Sequence, residues 1–160
     1  MIFLLALNSI AAIAIAALSG FWGFGGLVAG FALAYFALWA PFALFGAETR
    51  YFRTVWRTIR LAAFFLYDLF VSSVQVAWDV LTPTHLSRPA IVAMPLDVKS
   101  DEEITLVANL ISLTPGTLSL DVSDDRKTLY VHAMFADDPE GVVRDLKAGM
   151  ERMVSEVFEP

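Results

Sequence analysis

The first 47 residues carry no Asp, Glu, Lys or Arg, and the first charged side chain is Glu48. Two apolar runs fill this stretch, residues 2–18 and 27–45, separated by Ser19-Gly20-Phe21-Trp22-Gly23-Phe24-Gly25-Gly26 with its four glycines. A single helix over residues 2–45 would measure about 66 Å at ~1.5 Å per residue. That is twice the ~30 Å hydrocarbon core of a bilayer. Two helices folded back at the glycines match the core, and helices satisfy their own backbone hydrogen bonds in lipid. The stretch therefore predicts a membrane hairpin. A cleaved signal peptide would carry Lys or Arg ahead of its apolar region, and this chain has none there. Buried helices of a soluble core would show a polar stripe; here little is polar beyond Asn8, Ser9 and Ser19.

The remainder has a different character. After His85 the chain holds fourteen acidic side chains against seven basic ones, and nearly all of the net charge of −6 lies there. An acidic, membrane-embedded chain lacks the clustered Lys and Arg that phosphate contacts need, so nucleic acid is excluded as a partner. With no cysteine, there is no disulfide framework, thiolate metal site or cysteine nucleophile.

Residues 48–82 have helical periodicity. Arg50, Arg53, Arg57 and Arg60 recur every three or four residues, and Asp68, Ser72, Gln75 and Asp79 continue the same face. The opposite face carries Phe52, Val55, Leu66, Leu69, Phe70, Val76 and Val80. An amphipathic helix with arginines at its start suits the headgroup layer of an anionic leaflet, so these arginines are candidate membrane-surface or subunit contacts. Basic residues close to a span favour the cytoplasmic side. That places both termini in the cytoplasm, with the glycine turn outside. If residues 61–81 formed a third span, Asp68 and Asp79 would sit at membrane depth, which is costly. The polar stripe favours an interfacial or partner-packed helix. Asp68 and Asp79 are also the only ion-pathway candidates, since the hairpin has no acidic or basic side chain.

Residues 83–89, with Pro83 and Pro89, form a linker. Residues 90–160 then read as a small α+β unit in β-α-β-β-α order. Ser100-Asp101-Glu102-Glu103 is a capping box opening a helix over 101–113. Thr114-Pro115-Gly116-Thr117 is a turn, 118–122 and 128–135 are strands, and Asp138-Pro139 starts the last helix. The fold class is a transmembrane helical hairpin, an amphipathic helix and a small C-terminal α+β domain.

No catalytic or cofactor-binding set is visible. His85 and His132 lie far apart and lack the companions of a zinc site. Asp124-Asp125 and Asp137-Asp138 read as turn and cap residues. Gly20–Gly26 lacks the lysine of a phosphate loop. One stretch is more specific. Ala108-Asn109-Leu110-Ile111-Ser112-Leu113-Thr114-Pro115-Gly116-Thr117-Leu118-Ser119-Leu120-Asp121-Val122-Ser123-Asp124-Asp125 is followed by Thr128-Leu129-Tyr130-Val131-His132. Together with Ile91-Val92-Ala93-Met94-Pro95-Leu96 and Asp137-Asp138-Pro139-Glu140, it resembles the E subunit of Mrp-type multisubunit sodium/proton antiporters. The resemblance implies an accessory, non-enzymatic subunit in the cell membrane that supports the ion-translocating subunits. Its partners would be the other subunits and the bilayer, with no catalytic residue to carry over. Two other classes fit the residues alone: a free-standing anchored adaptor whose acidic domain binds a soluble partner, and a membrane enzyme with an unrecognised site.

Overall fold

The computed structural model describes residues 2–44, 50–83 and 85–159. The expected exit of the second span at residue 45, Glu48 and part of the linker at Thr84 lie outside them. The chain divides into two compact units, Met1–Trp56 and Arg57–Pro160.

In the first unit, α1 (Ile2–Ser19) and α2 (Phe24–Leu44) pack as a hairpin. The reversal uses Gly20 at φ +73°, a conformation that only glycine adopts freely. The helices meet through small side chains, with Ala12, Ala16 and Ala34 buried. A Cβ on Gly30 would stand 2.6 Å from the Ala12 carbonyl oxygen, so the backbones approach closely because glycine is there. The alanines of the first span thus serve partly to seat α2, while Ala14 and Ala17 stay exposed. Helix α2 continues through Pro41 to Leu44. The start of α3 (Arg50–Leu81) closes this unit. The buried Asn8 side chain donates to the Tyr51 hydroxyl at 2.7 Å, and the Tyr35 hydroxyl donates to the Phe52 carbonyl at 3.2 Å.

The second unit contains the rest of α3 and the α+β domain. One uninterrupted helix of 32 residues occupies the amphipathic segment. By length and composition α3 joins α1 and α2 as a third helix able to cross a membrane. Three antiparallel strands follow the order β1-β3-β2, with β1 (Ala90–Pro95), β2 (Thr117–Val122) and β3 (Thr128–Ala133). Val92 and Met94 of β1 and Leu129 and Val131 of β3 point into the core. Opposite them, Ile104, Val107 and Ile111 of α4 (Asp101–Leu113) supply a stripe with helical spacing. Ser100 and Glu103 form the expected capping box, and Gly116 turns the chain at φ +88°.

The last helical stretch departs from expectation. Helix α5 (Pro139–Leu146) passes into a π-helical turn, Lys147–Glu151, before α6 (Arg152–Phe158). The extra residue in that turn brings Glu151 inward beside Met150, both almost wholly buried. Asp138, expected to cap α5, lies beside the first-turn N–H groups of Gly141 and Glu140 and pairs with Arg144 at 2.9 Å, and these together hold its carboxyl below the ordinary carboxylate value.

Candidate functional site

The face of α3 that turns toward the α+β domain carries Arg57, Leu61, Phe64, Asp68, Ser72, Val76 and Asp79, one helical stripe. Each end of it is fastened by charge. At the N-terminal end, Arg57 Nη1 donates to the Glu156 carbonyl at 2.6 Å, and Nη2 lies 3.3 Å from Glu159 Oε2. Arg60 pairs with Glu156 at 3.1 Å. A guanidinium on the last carbonyls of α6 satisfies acceptors left open at a helix C-terminus and suits its dipole. Of the four arginines expected at the membrane surface or a subunit contact, Arg57 and Arg60 are therefore engaged by α6. Arg50 and Arg53 stand at exposed positions near the start of α3.

In the middle, Leu61 belongs to the hydrophobic core and Phe64 and Phe65 pack against it. A Cβ on Gly149 would come within 2.9 Å of Phe64 Cζ, so the ring lies directly on the π-helical turn. Asp68 faces Thr114 at the end of α4, whose hydroxyl donates to the Leu110 carbonyl at 3.0 Å. Val76 lies against the Gly116 turn, 3.6 Å from the place of an added Cβ there.

Asp79 closes the other end. It is buried, and its Oδ1 accepts the backbone N–H groups of Leu86 and of Ser87, the latter at 3.0 Å. His85 Nδ1 stands 3.7 Å from its other oxygen. A carboxylate holding two amide donors from the following segment ties the linker back onto α3. Of the two ion-pathway candidates, Asp79 thus binds amides of the chain's own C-terminal half, and Asp68 faces Thr114 there.

The residues that sequence reasoning missed surround the π-helical turn. Arg57, Asp97, Lys147, Glu151, Glu156 and Glu159 line a cleft of about 490 Å³. Glu151 Oε1 accepts from the Asp97 N–H at 2.6 Å and the Val98 N–H at 3.3 Å. Lys147 stands 3.1 Å from Glu151 Oε2 and 2.8 Å from Asp97 Oδ2, and donates to the Pro95 carbonyl at 2.6 Å. Burial pulls the Lys147 ammonium down, but the facing Asp97 and Glu151 carboxylates outweigh it and hold its pKa above the ordinary lysine value. Each charge here has an opposite one beside it. In sequence nothing signals the turn that buries Glu151. Among the described residues, no group of three His, Asp or Glu could hold a metal ion.

Known proteins share this architecture. The MNHE family, described as Na+/H+ ion antiporter subunit, matches residues 8–157. The E subunit of the Na(+)/H(+) antiporter of Alkalihalophilus pseudofirmus is 43% identical over 107 residues, 67% of this chain and 68% of the relative. The corresponding E1 subunit of Staphylococcus haemolyticus is 37% identical over 109 residues, 68% of this chain and 69% of the relative. Among solved structures, a chain of the Mrp complex from Dietzia sp. DQ12-45-1b superposes with a TM-score of 0.51 and 26% identity. The match covers 65% of this chain and 97% of that one. A chain of the membrane-bound sulfane sulfur reductase, an archaeal respiratory membrane complex, shares the fold with a TM-score of 0.56. Its identity is 24%, over 97% of this chain and 98% of that one. With two uncharged helices of membrane length, the chain is a multi-pass membrane protein, and it belongs to the MNHE family of Na+/H+ ion antiporter subunits.

Proposed function

We propose that this chain is a structural subunit of a multisubunit monovalent cation/proton antiporter and carries no ion and catalyses no reaction itself. Its partners are the other subunits of that complex and the bilayer of the cell membrane. One observation carries the reading. An ion or proton path needs ionisable groups stepping through the membrane, and α1 and α2 contain no acidic or basic side chain. Of the two carboxylates of α3, Asp79 holds the linker amides and Asp68 faces Thr114 of the small domain. The chain is then an anchor, residues 1–47, bearing an amphipathic helix, 48–82, a linker, 83–89, and a small domain, 90–160. Arginines 50, 53, 57 and 60 follow the second span, which favours a cytoplasmic domain.

The test is gentle purification from native membranes with the companions identified by mass. The expected result is a set of larger, polytopic subunits in fixed ratio. Recovery as a monomer, or with a soluble partner alone, would overturn the proposal. A reporter active only in the cytoplasm, fused at the C-terminus, checks the side, and its silence in a folded fusion would refute the orientation.

A further inference from the structure

The surface of α3 turned away from the domain is apolar. Trp56, Ile59, Leu66, Tyr67, Phe70 and Trp78 are each more than half exposed, and with Ala63 and Val74 they form one stripe along the helix. In a water-soluble helix the packed and exposed faces would be the other way round. We infer that α3 is an in-plane membrane helix: its exposed stripe is embedded in the interface of the bilayer that the hairpin crosses, and lipid is its occupant.

Three observations favour an in-plane α3 covered by lipid over a transmembrane one. First, the domain is attached to α3 from Arg57 to Val76, about 29 Å of helix at ~1.5 Å per residue. That matches the whole ~30 Å hydrocarbon core. Were α3 to cross, the domain's exposed Asp97, Glu102 and Lys99 would be carried alongside it into hydrocarbon, at a large cost for each charge in the lipid. Second, α3 begins where a span ends. Five residues separate Leu44 from Arg50, a reach of at most about 20 Å, and Tyr51 and Phe52 pack on Asn8 and Tyr35 of the hairpin. Third, the stripe has interfacial composition, with Trp56, Tyr67 and Trp78 spread along it and Arg50 and Arg53 at its near end. Aromatic rings with a polar edge and arginines on long stems both favour the headgroup boundary, where such a helix sits ~5–10 Å deep. The inference rests on the hairpin and on α3, not on the antiporter assignment.

The natural chain has no cysteine, so single cysteines can be placed without a prior knockout. Spin labels at Ile59→Cys, Ala63→Cys, Leu66→Cys, Phe70→Cys and Val74→Cys would be read in the full chain, purified with its companions and reconstituted in nanodiscs. Collision with oxygen and with a water-soluble nickel chelate gives the depth of each. The expected result is five shallow, oxygen-accessible labels whose depths agree within ~5 Å, one turn of helix. A steady change in depth approaching ~22 Å from Ile59 to Val74, the rise of a perpendicular helix, would show a span and overturn the inference. Labels shielded from both reagents would mean that another subunit covers the stripe, and labels open to the chelate would mean water. Either result overturns it as well, and none bears on whether the complex exchanges sodium for protons.

Discussion

Gly116 takes φ +88° between α4 and β2, a region that side-chain-bearing residues enter at a cost of roughly 1–3 kcal/mol. An added Cβ there would meet Phe135 and Val76 at 3.6 Å, an ordinary contact. The penalty for Gly116→Val is therefore mainly backbone strain, and the full chain in detergent should melt several degrees lower; an unchanged melt would contradict this. The capping box makes a pH prediction. Burial pushes the Glu103 carboxyl up, but hydrogen bonds from the Ser100 hydroxyl and the backbone N–H groups of Ser100 and Lys99 outweigh it and hold its pKa below the ordinary value. A depressed folded pKa contributes stability above the unfolded value of ~4.3, lost as pH falls through the folded one. Ser100→Ala should cost about 1 kcal/mol near neutrality and flatten the loss of stability between pH ~5 and ~3, measured by thermal melts across that range. An acid limb as steep as the parent's would refute it. Both features were legible because their signals are local: a Pro-Gly turn, and Ser followed three residues later by Glu. The burial of Glu151 was not legible. It depends on one extra residue in a helical turn, which leaves the apolar spacing from Leu146 to Val157 almost unaltered.

At the scale of elements, the hairpin and the joint between α3 and α6 are where single changes act most sharply. Gly30→Ala should push α1 and α2 apart, since its Cβ would lie 2.6 Å from the Ala12 carbonyl oxygen. We expect a loss of about 1–3 kcal/mol, read as reduced thermal stability in detergent. Gly25→Ala, whose Cβ would meet nothing within 4 Å, is the matched control and should be neutral; equal effects of the two would contradict the close approach. Arg57→Ala removes the charged cap on the Glu156 carbonyl and the Glu159 ion pair. It should release the end of α6, seen as faster amide exchange over residues 152–158 with little change in β1 or β3. Unchanged exchange there would refute the clamp. Periodicity revealed the amphipathic character of α3, but Val76, expected on the face opposite Asp68 and Asp79, shares their stripe and packs against the Gly116 turn. The pattern pointed to an interfacial or partner-packed helix and did not reveal that the chain's own domain covers the polar stripe, since that packing is non-local. The order of strands and helices in the domain was legible from alternation and turn residues, whereas the β1-β3-β2 arrangement depends on non-local pairing that no single segment encodes.

For the whole molecule, the central claim is that this subunit shapes and anchors an antiporter without carrying its ions. The claim depends on Asp68 and Asp79, the carboxylates of α3, acting as structural groups. Asparagine keeps their shape and one acceptor oxygen while removing the charge. Asp79→Asn should lower the amount of assembled complex moderately, because a weaker acceptor holds the Leu86 and Ser87 amides. Asp68→Asn should change it little, because asparagine keeps the shape of the side chain that faces Thr114 and an oxygen able to accept there. The direct measurement is sodium/proton exchange in everted membrane vesicles of each variant, normalised to complex abundance on native gels. Unchanged exchange per assembled complex in both is the predicted result; loss of exchange in Asp68→Asn with abundance intact would place that carboxylate in the ion path and contradict the account.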